Sequence, residues 1–230
     1  MPVPTPRKLA VLAPLCAMLA LGVVLSACGS SSPLASSTTT TTTGSSSSSI
    51  SSLGSLASTA QTSTYQAVYS YQSGGTTHTI TFSQSPPKFS FLQSGGSLVL
   101  NDGTNSYYCG TNKKCVSTTS GNPLEGLVGL FNGKTFQATA TAYSVASAIL
   151  SRLGVSLSYT TSSYGGQPSN CVTVSKSSQT VTWCVTTAGV LSYWSGGGST
   201  FALTSYTASP PASAFMLPAG YTTVTIPSAG

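Results

Sequence analysis

Cys171-Val172-Thr173-Val174-Ser175-Lys176, then Ser177-Ser178, then Gln179-Thr180-Val181-Thr182-Trp183-Cys184: this stretch decides the fold when read as two strands around a turn. Directly opposed residue numbers then sum to 355, so Val174 faces Val181, Val172 faces Trp183 and Cys171 faces Cys184. Successive side chains in a strand point to opposite faces. One face therefore carries Val172, Val174, Val181 and Trp183, and the other carries the threonines and both cysteines. Opposed residues at a non-hydrogen-bonded site sit about 4.5 Å apart at Cα, within disulfide reach. Apolar pattern and cysteine pairing select the same register. Ser-Ser is a poor primed turn, so a longer loop with that register fits as well.

The same alternation extends outward. Tyr65, Ala67, Tyr69 and Tyr71 share one side of a strand, and His78, Ile80 and Phe82 share a side of the next. Pro86-Pro87 breaks the chain. Phe89 and Phe91, then Leu98 and Leu100, continue the apolar face across a Ser94-Gly95-Gly96 turn. Later strands are expected at 156–161, 190–194 and 201–206. Ile50, Leu53, Leu56, Ala57 and Ala60 recur at helical spacing, which predicts a short helix over 50–62. Segments 123–131 and 139–153 also read as helices. In the second, Val145, Ala148, Ile149 and Leu153 form the expected inner face, with Gly154 as the stop. The order is helix, long meander, helical insertion, second meander: an α+β chain built on an antiparallel sheet with one greasy face.

Six cysteines are present. Cys16 lies in the N-terminal apolar run and Cys28 ends it; Cys109, Cys115, Cys171 and Cys184 remain, an even number that argues for two disulfides in an exported domain. Of three connectivities we choose Cys109–Cys115, around the turn-rich loop 110–114, and Cys171–Cys184. Each would stabilise by roughly 2–3 kcal/mol in the chain-entropy model. The spacings do not give the paired knuckles of a zinc ribbon, and no metal or other cofactor is implied.

At the N-terminus, Arg7-Lys8 precedes an apolar run over 9–27, which closes on Leu25-Ser26-Ala27-Cys28-Gly29. A basic start, a greasy middle and a small-residue exit form a secretory signal. Its ending resembles the lipobox of bacterial lipoproteins. That resemblance implies a signal peptide over 1–27, removal of it, a diacylglycerol on the Cys28 thiol, and a chain anchored on the extracytoplasmic face of the cell membrane. Residues 29 to about 50 are almost entirely Ser, Thr and Gly. They have nothing to bury, so 28–49 is expected to be a tether and 50–230 one domain.

Three places carry a second resemblance: the strand 65–71 after a short helix, Trp183-Cys184-Val185 before Gly189, and Phe215-Met216-Leu217-Pro218-Ala219-Gly220-Tyr221. Together they resemble the lipoprotein-carrier fold of periplasmic lipoprotein-sorting proteins and mycobacterial lipid-carrying lipoproteins. The resemblance implies a strongly curved antiparallel sheet, an unclosed half-barrel, with short helices covering its concave side. The last segment stands in for that family's closing Phe-x-Leu-Pro-x-Gly. This chain departs from charged relatives in its scarcity of acids, so partner contacts made there through carboxylates do not carry over.

Charge narrows the function. The chain holds eight Lys+Arg, two Asp+Glu and one His; loss of Arg7 and Lys8 with the signal leaves six cations against two anions, formally +4. The cations are scattered, with only Lys113-Lys114 adjacent, so there is no basic stripe for nucleic acid. Few carboxylates means few groups for acid to protonate, which predicts acid tolerance. Catalysis by paired carboxylates needs two acids. Asp102 sits in the turn Asn101-Asp102-Gly103, and Glu125 opens a helix, where an acid complements the dipole; both have structural explanations. His78 is the only imidazole, on a Thr-rich strand, and no Gly-x-Ser-x-Gly elbow accompanies it. Ser85-Pro86-Pro87-Lys88 matches Ser-x-x-Lys by chance, since Pro-Pro before a strand opens no helix. We expect no enzyme.

What remains is the apolar sheet face: Ile80, Phe82, Phe89, Phe91, Leu98, Leu100, Val172, Val174, Val181 and Trp183. It serves either as a filled core under the helices or as one wall of a slot for an acyl chain. Small residues in the cover (Ala138, Ala140, Ala142, Ala146, Ala148) are compatible with a gap and do not demand one. The leading expectation is a non-catalytic, membrane-anchored binder or carrier of lipid or another hydrophobic ligand. The alternative is an envelope interaction or sensor protein. It would show a filled core and an exposed aromatic patch around Tyr69, Tyr71, Tyr193 and Trp194. No particular protein partner is indicated.

Overall fold

The computed structural model describes residues 46–118, 125–131 and 133–225. The signal segment, Cys28 and the first part of the expected tether lie outside the described residues, as does Pro123 at the start of the second expected helix.

Among the described residues, twelve strands form one unclosed, mostly antiparallel sheet. The first meander runs β1 (Tyr65–Ser73), β2 (Thr76–Ser85), β3 (Lys88–Gln93), β4 (Leu98–Asn101), β5 (Ser106–Cys109) and β6 (Lys114–Thr118). Helices α1 (Ser46–Ala60), α2 (Glu125–Phe131) and α3 (Lys134–Arg152) precede and follow it. The second meander runs β7 (Val155–Tyr164), β8 (Gln167–Lys176), β9 (Gln179–Thr186), β10 (Leu191–Gly196) and β11 (Ser199–Thr207). Pairing of β1 with β11 joins the two meanders side by side. After β11 a 3-10 turn, Ala212–Phe215, leads to β12 (Thr222–Thr225), which adds in parallel to β6. The sheet edges are therefore β12 and β7.

The deciding hairpin has the register its sequence predicts: Cys171 opposes Cys184, Val172 opposes Trp183 and Val174 opposes Val181. Lys176 pairs with Gln179, so the turn is the two-residue one, with Ser177 in the left-handed region at φ 53°. Disulfides join Cys171 to Cys184 and Cys109 to Cys115. Disulfides persist in oxidising compartments, so the domain is suited to an extracytoplasmic location.

Helix α1 starts at Ser46, four residues before the expected Ile50, inside the serine run assigned to the tether. Leu53, Ala57 and Ala60 bury its inner stripe. Two glycines let neighbouring backbone close on it. Gly133, at φ 80°, lies so near that a Cβ there would stand 2.5 Å from the Ala57 carbonyl oxygen. Gly189, at φ 78° in the β9–β10 turn, would drive a Cβ into the Leu56 carbonyl. The Ala60 carbonyl at the C-terminus of α1, and the Ser63 carbonyl just beyond it, accept from the buried side chain of Gln84 on β2.

Two expectations about faces are corrected. Phe91 pairs with Val99, and Leu92 with Leu98. Leu98 and Leu100 therefore point away from Phe89 and Phe91, onto the outer face. There they form a second small core with Cys109 and Cys115, covered by Leu217 and Tyr221 from the segment that leads to β12. The turn closes one residue away from the register that would have placed Leu98 opposite Phe91, and a one-residue slip inverts the face. In α3, the inner stripe is Phe136, Ala140 and Tyr143. Ile149 and Leu153, expected inside, are 63% and 58% exposed. The helix begins at Lys134, with Gly133 as its cap, instead of Thr139, and Phe136 in the added turn anchors it; the side chains of Val145 and Ala148 lie outside the described residues.

Candidate functional site

The helix-covered face of the sheet is where a ligand would bind, and its first half is filled. Phe131, the last residue of α2, is fully buried. Its ring lies 5.1 Å from that of Tyr69, 5.2 Å from Phe82, 5.5 Å from Phe91 and 5.8 Å from Phe201. Those residues sit on four neighbouring strands, β1, β2, β3 and β11, about 14 Å across at ordinary strand spacing. One ring reaches all four because the sheet curls around it. The Tyr65 hydroxyl donates to the Phe131 carbonyl at 2.9 Å, which holds the backbone of the plug as well. Tyr69 donates likewise to the Leu191 carbonyl at 2.9 Å. Burial raises the pKa of both tyrosines well above the usual phenol range.

Of the ten face residues expected from sequence, Ile80, Phe82, Phe89 and Phe91 are buried in or beside this aromatic cluster. Val172, Val174 and Trp183 sit together on the second half of the face. With Leu53, Phe136, Ala140, Tyr143 and Leu157 they line an apolar cavity of about 10 Å³, room for about one water. Val181 is half-buried beside Gly196. Leu98 and Leu100 are on the other side, as described above. Tyr69 and Tyr71, offered as part of an exposed aromatic patch, are in the core at 0% and 4% exposure. Tyr193 stacks on Tyr164 at 4.8 Å, and Trp194 meets Phe201 edge-on at 5.8 Å. These four residues therefore do not form one exposed patch.

Sequence reasoning missed Phe131 and Gln84. Phe131 ends a helix whose inner face spans too few residues to read. Gln84 carries a polar signal inside an apolar strand, which could have marked it: a buried amide must find partners.

Two of the candidate catalytic groups, Asp102 and His78, have structural partners. One Asp102 carboxylate oxygen accepts from the backbone N–H groups of Thr104 and Asn105, each at 2.8 Å, and the other accepts from the Tyr107 hydroxyl at 3.1 Å. These bonds, the Asn105 amide first, hold its carboxyl below the usual range and close the β4–β5 turn. His78 is half-buried, and its ring stacks on Tyr71 at 6.3 Å. Glu125 opens α2, with its side chain outside the described residues. Among the described residues no cluster of three His, Cys, Asp or Glu could hold a metal.

No protein-family model matches the chain, and no curated protein matches it. Solved structures do. The complex of MucA and MucB from Pseudomonas aeruginosa is matched with a TM-score of 0.51 at 14% identity, over 78% of this chain and 64% of that one. MucB in complex with MucA(peri) is matched with a TM-score of 0.50 at 16% identity, over 77% and 62%. The chain thus shares a fold with MucB and spans less than two thirds of its length.

Proposed function

We propose that this is a non-catalytic protein of the cell envelope, anchored through a lipid on Cys28, that acts by presenting a rigid, filled domain to a protein partner. The observation that carries the reading is Phe131. With its ring packed against four strands and only about 10 Å³ left at the cavity beneath α1 and α3, this face, among the described residues, takes no acyl chain without displacement of its helices. The two disulfides agree with an extracytoplasmic site of action. The fold shared with MucB, itself solved in complex with MucA, supports a protein partner.

Native mass spectrometry of the chain extracted gently from cells tests this. The expected species is one chain, starting at Cys28 with a diacylglycerol modification and carrying no further lipid. A stoichiometric, non-covalent lipid would overturn the filled-domain reading in favour of a carrier. A chain with an unmodified Cys28 would overturn the anchor. The carrier reading has one point in its favour: the cavity over Val172, Val174 and Trp183 is wholly apolar, so movement of α1 or α3 would enlarge a greasy space.

A further inference from the structure

The C-terminal end of α3 has a surface that the filled domain does not use. Ile149 and Leu153 are one turn apart on one side of the helix and are 63% and 58% exposed. Arg152 between them is exposed. Lys176, also exposed, pairs with Val155, the residue just beyond the Gly154 stop. The chain's two carboxylates are elsewhere, in the β4–β5 turn and at the start of α2. An exposed apolar pair on a helix end that also carries Arg152, followed by a strand whose first residue pairs with Lys176, with no acid on α3, β7 or β8, has the chemistry of a membrane-interface contact.

The path of the chain gives this surface its occupant. The Gln61 side chain meets that of Gln137 at 2.6 Å, while Gly54 approaches Ala140. As α1 is followed back from 61 to 54, α3 is followed forward from 137 to 140, so the two helices are antiparallel. The N-terminus of α1, at Ser46, is thus directed towards the Ile149–Leu153 end of α3. Residues 28–45, eighteen in number, separate Ser46 from Cys28. Even fully extended they reach no more than about 65 Å, so an anchor at Cys28 would hold the start of α1 within that distance of the bilayer.

We propose that the end of α3 rests on the anionic lipid surface to which the chain is anchored, with Ile149 and Leu153 among the headgroups and Arg152 and Lys176 against lipid phosphates. Its setting depends on the anchor reading; its chemistry does not.

Vesicle flotation of the mature-length chain, residues 28–230 with Cys28→Ser, separates the two. The chain is expected to float with phosphatidylglycerol-rich vesicles, to bind pure phosphatidylcholine far less, and to be released by high salt. The double variant Ile149→Ser/Leu153→Ser lowers partitioning at least about tenfold. Arg152→Gln/Lys176→Gln lowers it about 30-fold at low salt, at roughly 1 kcal/mol per cation, and removes most of the salt dependence. All four residues are exposed, so unchanged melting confirms that the variants fold. No flotation, or flotation indifferent to both double variants, overturns the proposal. So does a concentration-dependent dimer that the Ile149/Leu153 variant abolishes, since the patch would then belong to a second copy. An unmodified Cys28 in cell-extracted protein would remove the anchor and leave each flotation result standing.

Discussion

The side-chain amide of Gln84 donates to the carbonyl of Ala60 at 2.7 Å, and with its other hydrogen to that of Ser63 at 2.9 Å. Gln84 is 3% exposed. It ties the last turn of α1 to β2, sharing the Ala60 carbonyl with the Ser63 backbone N–H at 3.3 Å and supplying the donor to the part-buried Ser63 carbonyl. A buried acceptor left unpaired costs about 1–3 kcal/mol. Gln84→Leu keeps the bulk, removes both bonds and takes the side-chain donor from the Ser63 carbonyl, so it should lower unfolding free energy by about 1–3 kcal/mol in denaturant titration, with faster amide exchange in α1. Gln66→Leu is the comparison: Gln66 is half-buried and bonds the Ser83 hydroxyl at 2.9 Å, and its loss should cost under about 1 kcal/mol.

Gly189 and Gly74 have similar backbone angles, φ 78° and 56°, and opposite surroundings. A Cβ at Gly74 meets nothing within 4 Å, whereas one at Gly189 runs into the backbone of Leu56. Gly74→Ala should cost about 1 kcal/mol, the strain of a left-handed alanine. Gly189→Ala must also push α1 off the β9–β10 turn and should cost more than about 3 kcal/mol. Equal melting temperatures for the two variants would show that α1 is not seated as described.

How far the sequence discloses this fold depends on the range of the forces that set each feature. The Cys171–Cys184 hairpin was legible because alternation, cysteine position and turn length all act within fourteen residues. The order of helices and meanders was legible from period alone. The face of Leu98 and Leu100 was not. What buries them is Leu217 and Tyr221, more than a hundred residues later, and no local pattern reports that. Ile149 and Leu153 were misplaced for a related reason: they recur at helical spacing with Val145 and Ala148, yet the contact with α1 selects Phe136, Ala140 and Tyr143. Exposed apolar residues left by such a choice carry information about surfaces.

Ser177 has a positive φ, 53°, in a two-residue hairpin turn whose second residue, Ser178, does not, a pattern that favours glycine at the first position. The register is already fixed by Val172, Trp183 and the disulfide, so the serine is tolerated and not required. Ser177→Asn, or Ser177→Gly, should raise stability by about 0.4–1 kcal/mol. A loss of stability in thermal melts would mean that Ser177 makes a contact the turn geometry does not explain.

Phe131→Ala removes the ring that β1, β2, β3 and β11 enclose. Truncation of a buried phenylalanine costs about 3–5 kcal/mol. The space left is apolar, bounded by Tyr69, Phe82, Phe91 and Phe201, and such cavities stay dry and take up small apolar ligands. The variant should bind benzene or xenon in the folded state, read as a ligand-dependent rise in melting temperature, and the unaltered chain should not. Binding by the unaltered chain would mean that the core is not filled.

Stability should depend weakly on acid and strongly on base. Asp102 has its folded pKa lowered, chiefly by the Asn105 backbone amide. A lowered carboxyl contributes stability above its unfolded value, about 3.9, and loses it as pH falls through the folded value. Asp102 is partly solvated, so the loss discounted for screening is no more than about 1 kcal/mol, and Asp102→Asn should abolish it. Tyr65 and Tyr69 act in the other direction, because burial raises both. Their stability is intact below about pH 10, where the unfolded chain also keeps its phenol protons. Above that the unfolded chain releases protons that the folded one retains, and each buried tyrosine costs about 1.4 kcal/mol per pH unit. The midpoint of chemical unfolding should therefore shift little between pH 7 and 4 and fall steeply above pH 10. Tyr69→Phe should start less stable, because the Leu191 carbonyl loses its donor, and should show the shallower alkaline decline. An alkaline slope equal to that of the unaltered chain would mean that the Tyr69 phenol ionises in the folded state, and so that water reaches the core beside Phe131.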